Sequence, residues 1–579
     1  MYKNLATYLA RLEREGELVR ISAPVSPVLE IAEITDRASK SPGGGRALLF
    51  ENVVGSNFPV VTNMFGSRRR MAMALGAESL DDITARLDGL LREALSPRGT
   101  FAQKVRTLPL LAEASKWFPR RISGRGECQQ VVLQGPEAAL SKLPVLKCWP
   151  CDGGRFVTLP LVHTVDPETN VSNVGMYRMQ IFDDRTTGMH WHIHKTGARH
   201  YDAYKRSGVR KMPVTVCLGG DPAYTYAATA PMPDGMDEYL LAGFLRRRPV
   251  KLVKCLTNDL WVPSDCDFVI EGYVDTSEPP RVEGPFGDHT GFYSLEDLYP
   301  AFHVTAITHR RDAVYPATLV GVPPQEDAYI AEATERIFLP PIRHALQPEV
   351  RDLHMPPAGV AHNLAIVSMD VAYPGQAEKV ASALWGAGQM MFNKVLVVVP
   401  AGVDVRDTET VLALLRGVDV GRDLVFGRGV ADVLDHATGG SGVGSKLLID
   451  LTGKRIPVNA PSSTSNFRLL LDSAAESLTP YEKLWLALAN VDPARDIRIE
   501  EGVAFVDARA KTSKAAGMPP RWPNVATMDA DTIALVDRRW PEYGLDDLLE
   551  SPSARYRKLL LSDGAEVGTT KQSSDGAQV

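Results

Sequence analysis

The chain is poor in cysteine, with six in 579 residues and no regular spacing between them. That excludes a disulfide-stapled scaffold and points to a reducing compartment. No stretch reaches the ~18 consecutive apolar residues of a membrane span, so no spanning helix is expected. Residues 1–21 alternate apolar and charged side chains at helical spacing and lack the uninterrupted apolar core of a signal peptide. A long basic block is missing too. Arg68 to Arg70 and Arg246 to Arg248 are short runs that read as solvated faces, and 64 Lys plus Arg against 70 Asp plus Glu leave a formal charge of −6. Nucleic acid therefore has no electrostatic footprint here. Together these absences predict a soluble, cytoplasmic protein.

The hydrophobic fraction of 44% is that of an ordinary globular chain, and the length suggests about two to four domains. Residues 1–119 read as a small α/β unit: an amphipathic helix over 2–15 closed by Gly16, strands at 48–51 and 60–63, and a helix over 79–93 with Ser79 as N-cap. Residues 120–320 carry short β-rich runs at 130–133, 159–165, 214–218, 268–273 and 301–308, broken by Gly, Pro, Asp and Asn. That texture predicts an antiparallel sheet or barrel. Within it one helix stands out over 234–248, with Asp234 as its cap. A connecting helix falls in 321–355, and residues 356–454 alternate strand and helix as a second α/β unit. Beyond it come a mixed polar stretch, 455–517, a helical segment, 518–562, and a Gly, Ser, Thr and Asp-rich tail, 563–579.

Several runs carry chemistry. His190, His192 and His194 are spaced by two, so on a strand they share one face; the pattern reads either as a metal site or as a polar strand lining a cleft. Cys148 and Cys151 form a C-x-x-C without a second pair or a strand-to-helix context, and read as ordinary thiols. Arg281 to Gly291 sets Glu283 and Asp288 on a Gly/Pro-rich segment among aromatics. Such a segment either dries one carboxyl into a proton donor of raised pKa, leaving the other ionised against an arginine, or is an acidic surface turn. Asn173 to Arg178 joins an amide, a glycine and an arginine able to clamp a carboxylate or phosphate. Gly439 to Lys446 is a Gly-rich loop ending in lysine, without Walker A spacing.

In order along the chain, GELVRI, LEIAEITDRA, ALLFENVVG, PVVTNMFGS, LPVLKCWPCDGG, SNVGMYRMQ, MHWHIHK, TAPMPDGMDEYLLAGFLR, EGPFGDHTGFY and SGVGSKLLID resemble the UbiD family of reversible decarboxylases that use prenylated FMN. The resemblance implies an α/β and α+β multidomain fold, with an N-terminal α/β unit, a central split β-barrel flavin-binding domain, a connecting helix and a C-terminal α/β domain. It implies a divalent cation, Mn²⁺ or Mg²⁺, held by Asn173, His194 and Glu238. An amide oxygen, one imidazole and one carboxylate suit such a cation better than zinc. The same resemblance places the flavin against Met176, Tyr177, Arg178, His190, Trp191, His192, Lys195, Thr196 and Lys446. It gives catalysis to Asp288 as proton donor, with Arg178 and Glu283 orienting the substrate carboxylate.

The stretch 455–517 departs from shorter family members and resembles the long form linked to menaquinone biosynthesis. The expected reaction is decarboxylation of a hydroxyaryl or fused-ring acid, a menaquinone or ubiquinone precursor, releasing CO₂. A flavin prenyltransferase supplies the cofactor, and the enzyme is a homodimer or homohexamer. Two rival readings are a split-barrel FMN reductase or oxidase and a non-catalytic subunit of an aryl carboxylase complex.

Overall fold

The computed structural model describes residues 2–96, 112–439, 442–454, 466–512 and 518–567. The first helix, Leu5–Arg14, begins where Asn4 Oδ1 accepts from the Thr7 amide and Thr7 Oγ1 accepts from the Asn4 amide, both at 3.1 Å. This reciprocal cap satisfies two orphan donors, and Leu5, Tyr8, Leu9 and Leu12 form the buried stripe. Ser79 caps the helix Leu80–Leu95, where expected. Between the helices lies a four-stranded sheet of Leu18–Ile21, Ala47–Phe50, Val60–Thr62 and Tyr315–Pro316. Its last strand arrives from far along the chain and ties the N-terminal unit to the central one.

The central unit is a seven-stranded sheet with Lys211–Leu218, Phe268–Asp275 and Ala301–His309 at its heart, all antiparallel. It stays open among the described residues instead of closing into a barrel. Both faces are covered: Val214, Val216 and Leu218 enter one core cluster, while Cys217 enters another on the opposite face. That is why these strands read as near-continuous apolar runs rather than alternating ones. Cys128, Cys217, Cys255 and Cys266 share the second cluster as small hydrophobes. All six cysteines are free, and burial pushes the Cys148 and Cys151 thiols up, as expected of ordinary thiols.

Three helices accompany this sheet, not one: Thr196–Arg206, Pro222–Thr229 and Glu238–Arg246. Pro222–Thr229 is buried over nearly its whole length, so it shows no amphipathic period to read. The third starts later than predicted. Its cap is Asp237, which accepts from the Tyr239 amide at 2.8 Å, whereas Asp234 is drawn away by the guanidinium of Arg199 at 2.6 Å.

The connecting helix Glu326–Pro341 leads to a five-stranded sheet ordered Val350–His354, Leu364–Met369, Val395–Pro400, Val443–Asp450, Leu424–Val430, parallel at its centre. Residues 466–512, unassigned in the sequence beyond being mixed and polar, build a three-stranded sheet and the helix Pro480–Asn490. This unit braces two domains at once. Trp485, 1% exposed, donates Nε1–H to Thr290 O at 2.8 Å and packs on Gly291, where φ is +86° and a Cβ would lie 2.5 Å from the indole. On its other side, Lys394 Nζ donates to Leu488 O at 2.8 Å, and His436 Nε2 meets Asn490 Oδ1 at 3.0 Å. Residues 563–567 are not loose: Val567 N donates to Trp522 O and Asn524 N to Ala565 O, both at 2.8 Å. The rest of the predicted tail, with 455–465 and 513–517, lies outside the described residues. No described helix is long and apolar enough to cross a membrane.

Candidate active site

Arg178 follows the strand Ser172–Met176 and is buried. Its Nε donates to Glu283 Oε1 at 2.9 Å and its Nη2 to Glu283 Oε2 at 3.0 Å, while Nη1 bonds Asp288 Oδ2 and Nη2 reaches Ser294 Oγ at 3.0 Å. The planar fork thus spans both carboxyls of the Gly/Pro-rich segment. Phe286 stacks under the guanidinium, 4.7 Å from it. Glu283 ends the strand Arg281–Glu283, which pairs with Asp297–Tyr299, and Phe286–Gly287 pairs with Tyr293–Ser294. These paired ribbons set the separation of the two acids. Asp152, just after the C-x-x-C, pins them by accepting from the Gly287 amide at 2.8 Å, and from Trp149 and Cys148 amides at 2.8 and 3.1 Å.

The second cation is His289. Its amide donates to Asp288 Oδ1 at 2.7 Å and its Nδ1 lies 3.0 Å from the same oxygen. Burial pulls this imidazole down, but Asp288 outweighs it and lifts the pKa to about 9. Burial pushes both acids up, yet Arg178 with His190 holds Glu283 at about 2, and His289 with Arg178 holds Asp288 well below the usual carboxylate range. One expectation is therefore corrected: neither carboxyl has a raised pKa in this state. The cause is two cations meeting two acids, an arrangement that their spacing in sequence does not reveal.

The three histidines do not lie on a strand. His190 Nδ1 bonds Glu283 Oε2 at 3.0 Å and its Nε2 faces His192 Nε2 at 2.6 Å. His194 turns elsewhere, edge-on to Phe392 at 5.5 Å and beside Gly442 of the Gly-rich loop. No group of three or more His, Cys, Asp or Glu converges for a metal among the described residues, so the reading of three histidines as one metal site is not upheld. The mixed set behaves differently. Asn173 is buried with Nδ2 unpaired, His194 has Nδ1 unpaired, and Glu238 Oε2 accepts from the amide of Val174, next to Asn173, at 2.8 Å. Burial pushes Glu238 up to about 8 because no cationic side chain compensates it. Glu238 thus lies beside the strand that carries Asn173, and a buried carboxylate without a compensating cation fits a hard divalent cation, while His194 faces Phe392 and Gly442.

Near this set, the Gly197 amide donates to Tyr177 OH at 3.4 Å, and Trp191 is buried against Gly197 with Nε1 unpaired. Lys195 and Thr196 open the helix Thr196–Arg206, whose N-terminus favours an anion. Met176 ends the strand that carries Asn173. Lys446 sits apart from these residues, in the C-terminal domain. It lies within the strand Val443–Asp450, and its Nζ donates to the carbonyls of Met391, Asn393 and Val430 at 2.7, 2.7 and 2.6 Å. Three carbonyls engage its three donors, so in this structure its ammonium is held within the C-terminal domain. Sequence reading missed Asp152, His289 and Ser294. Only His289, adjacent to Asp288, carried a local signal.

Profiles of three consecutive domains match the chain: the 3-octaprenyl-4-hydroxybenzoate carboxy-lyase N-terminal domain over residues 9–87, Rift-related domain over 120–323 and C-terminal domain over 328–451. An uncharacterized protein of Aquifex aeolicus is 49% identical over 454 residues, 78% of this chain and 92% of that one. One of Archaeoglobus fulgidus is 46% identical over 455 residues, with the same coverage of 78% and 92%. Among solved structures, the closed form of Sedimentibacter hydroxybenzoicus vanillic acid decarboxylase matches with a TM-score of 0.68 at 27% identity, over 80% of this chain and 95% of that one. The UbiD-class enzyme HmfF from Pelotomaculum thermopropionicum in complex with FMN matches at 0.65 and 29%, over 79% and 95%. Fold and site thus define a carboxy-lyase. The chain belongs to the UbiD family.

The three profiles end at residue 451, so the Trp485 brace lies beyond them. Trp485→Phe keeps most of the packing and removes the donor to Thr290 O, two residues from Asp288. It should lower the unfolding free energy by about 1–3 kcal/mol and reduce kcat more than KM, read by denaturant titration and steady-state kinetics. An unchanged kcat would separate the brace from the acids. On the expectation that Glu238 ligates a cation, Glu238→Ala should lose cation and flavin together, as read by metal analysis and the flavin spectrum of purified protein; flavin retained at full occupancy would overturn that expectation.

Proposed function

We propose that this enzyme catalyses reversible, non-oxidative decarboxylation of an aromatic carboxylic acid with prenylated FMN and Mn²⁺ or Mg²⁺. The observation that carries the reading is the buried fork of Arg178 between Glu283 and Asp288, beside His190 and His192. Asn173, His194 and Glu238 hold the cation, and Met176, Tyr177, His190, Trp191, His192, Lys195 and Thr196 line the flavin pocket. When bound, the prenylated flavin supplies the electron sink that loss of CO₂ from an sp² carbon requires.

The protein's own residues handle binding and the proton. A substrate carboxylate competes with Asp288 for Nη1 of Arg178, while Glu283 keeps the guanidinium oriented through its two bonds. Once Asp288 loses that cation its pKa rises. It then takes the proton from His289 Nδ1, 3.0 Å away, and passes it to the ring carbon that CO₂ has left. The substrate is a hydroxyaryl or fused-ring acid, a quinone precursor. The assembly is a homodimer or homohexamer in the cytoplasm, with a flavin prenyltransferase as cofactor supplier. Co-expression with that transferase should yield a flavin one prenyl group heavier than FMN and CO₂ release from an aromatic acid. Purified protein that holds only unmodified FMN and releases no CO₂ would refute the proposal.

A further inference from the structure

The C-x-x-C run, which the proton and carboxylate chemistry does not use, frames the turn that presents Asp152 to the acid segment. Asp152 N donates to Trp149 O at 3.1 Å and closes that turn, while Asp152 Oδ2 accepts in return from the amides of Cys148 and Trp149. Oδ1 is left free to reach across to the Gly287 amide at 2.8 Å. Further bonds extend this contact into a clamp: Gly153 N donates to Pro285 O at 2.8 Å, Gly284 N to Gln180 Oε1 at 2.7 Å, and Cys151 N to Tyr293 OH at 3.3 Å. Close approach of the two backbones needs glycine on each side. A Cβ on Gly287 would run into the Trp149 ring, and one on Gly153 into the Gly284 carbonyl. Three of the four residues between Glu283 and Asp288 are thus held by this clamp.

Asp152 is 4% exposed. Among the described residues no arginine, lysine or histidine pairs with it, and amides carry its charge instead. The titratable groups around it are Lys147, whose charge favours the carboxylate, and Cys148, Cys151 and Tyr293, which burial keeps neutral. Burial outweighs the three amides and lifts the pKa of Asp152 to about 7. The two protonation states differ in what they can hold. Ionised, the carboxylate is an acceptor at both oxygens and takes all three N–H groups. A proton on Oδ1 sets an O–H against the Gly287 N–H, and a proton on Oδ2 does the same to the Cys148 and Trp149 amides behind it. Either way the segment between the two catalytic acids loses its tether.

We infer that Asp152, in its ionised form, is a positioning residue that fixes the separation of Glu283 and Asp288 across Arg178. This rests on the decarboxylase reading above. On flavin-loaded enzyme, wild-type kcat for an aromatic acid should fall as pH drops through about 7. Asp152→Asn keeps the shape but turns one acceptor into a donor. At pH 8 it should lower kcat by about tenfold to 100-fold, the cost of misplacing a reacting group by a fraction of an ångström to one ångström, with KM changed far less, and it should lack the acid limb. Hydrogen exchange read by mass spectrometry, without substrate, supplies the second arm. Exchange should quicken in peptides covering 284–291, and not across the rest of the chain, both in Asp152→Asn and in wild type at pH 6 relative to pH 8 after correction for the intrinsic rate. A merely structural role would quicken exchange throughout and leave the limb in place. Wild-type kcat in Asp152→Asn, an acid limb unchanged in that variant, or wild-type exchange at 284–291 overturns the inference. Should Asp152→Asn not fold, Asp152→Ser, smaller and uncharged, takes its place with the same expected outcomes. If no protein turns over any acid, the decarboxylase reading fails by itself, and the exchange at 284–291 decides the role of Asp152.

Discussion

Asp288→Asn should keep its flavin and cation yet turn over aromatic acids about 10²–10⁴-fold more slowly than wild type, the range expected when one general acid is lost. The amide is nearly isosteric and still accepts from Arg178, so KM should move little. Ring-proton exchange in deuterated buffer should vanish with turnover, because both need the same proton transfer. Full activity in the variant would remove Asp288 as donor. The resting geometry adds a second arm. Asp288 is ionised, and the acid at hand is the imidazolium of His289. Its pKa is raised, so the proton is fully present below the ordinary histidine value of about 6.5 and is lost as pH rises through about 9. Wild-type kcat should therefore fall above about pH 9. His289→Gln, which can still donate a hydrogen bond to Asp288 but carries no titrating proton, should be slow at every pH and lack that alkaline limb. A wild-type alkaline limb unchanged in His289→Gln would assign it to another group.

Much of the local structure was legible because it depends on neighbours in sequence. Ser79 caps its helix through Asp82, three residues on, and Gly16 ends the first helix at φ +73°. The strand runs of the central unit are also local, since each is set by β-branched and aromatic content between turn residues. What failed was competition decided in three dimensions. Asp234 carries the residue type of a cap, but Arg199 holds it away and Asp237 does the work. Lys446 ends a glycine-rich run that reads as an anion loop, yet three carbonyls surround its ammonium. The histidine triplet has a two-residue period without a strand beneath it, so its members point to different partners.

The site follows the same division. Arg178, Glu283 and Asp288 could be picked out by residue type and motif, because glycine and proline around them mark a segment freed from regular structure. Their electrostatics could not, since the pKa of each acid depends on which cations stand within about 3 Å. Asp152 had no signal, being a lone aspartate after a C-x-x-C that reads as ordinary thiols. Its meaning comes only from the Gly287 amide that it meets across the fold.

Arg178→Met should have the largest effect on both activity and stability. Methionine fills similar volume but leaves Glu283, fully buried, and Asp288, 8% exposed, without their shared guanidinium. Removing one partner of a buried ion pair is destabilising by about 3–5 kcal/mol, and substrate binding through the carboxylate is lost with it. The pH dependence gives the sign. In wild type Glu283 has a lowered pKa, so its contribution to stability is complete above the ordinary carboxylate value of about 4.3 and is lost as pH falls through about 2. In the variant the balance inverts for Glu283: burial, which pushes it up, loses its main opponent, whereas His289 still holds Asp288 down. The folded pKa of Glu283 then lies above its unfolded one, and its protonation stabilises the fold. Arg178→Met should therefore be least stable at high pH and recover part of the deficit on acidification from pH 8 to pH 5, where wild type changes little. Denaturant titrations at the two pH values measure this directly. A deficit equal at both would mean that Glu283 finds another cation, with His190 taking the place of Arg178. Restoring charge with Arg178→Lys should recover stability more than turnover, because a point charge can neutralise the acids but cannot present the fork that orients a carboxylate.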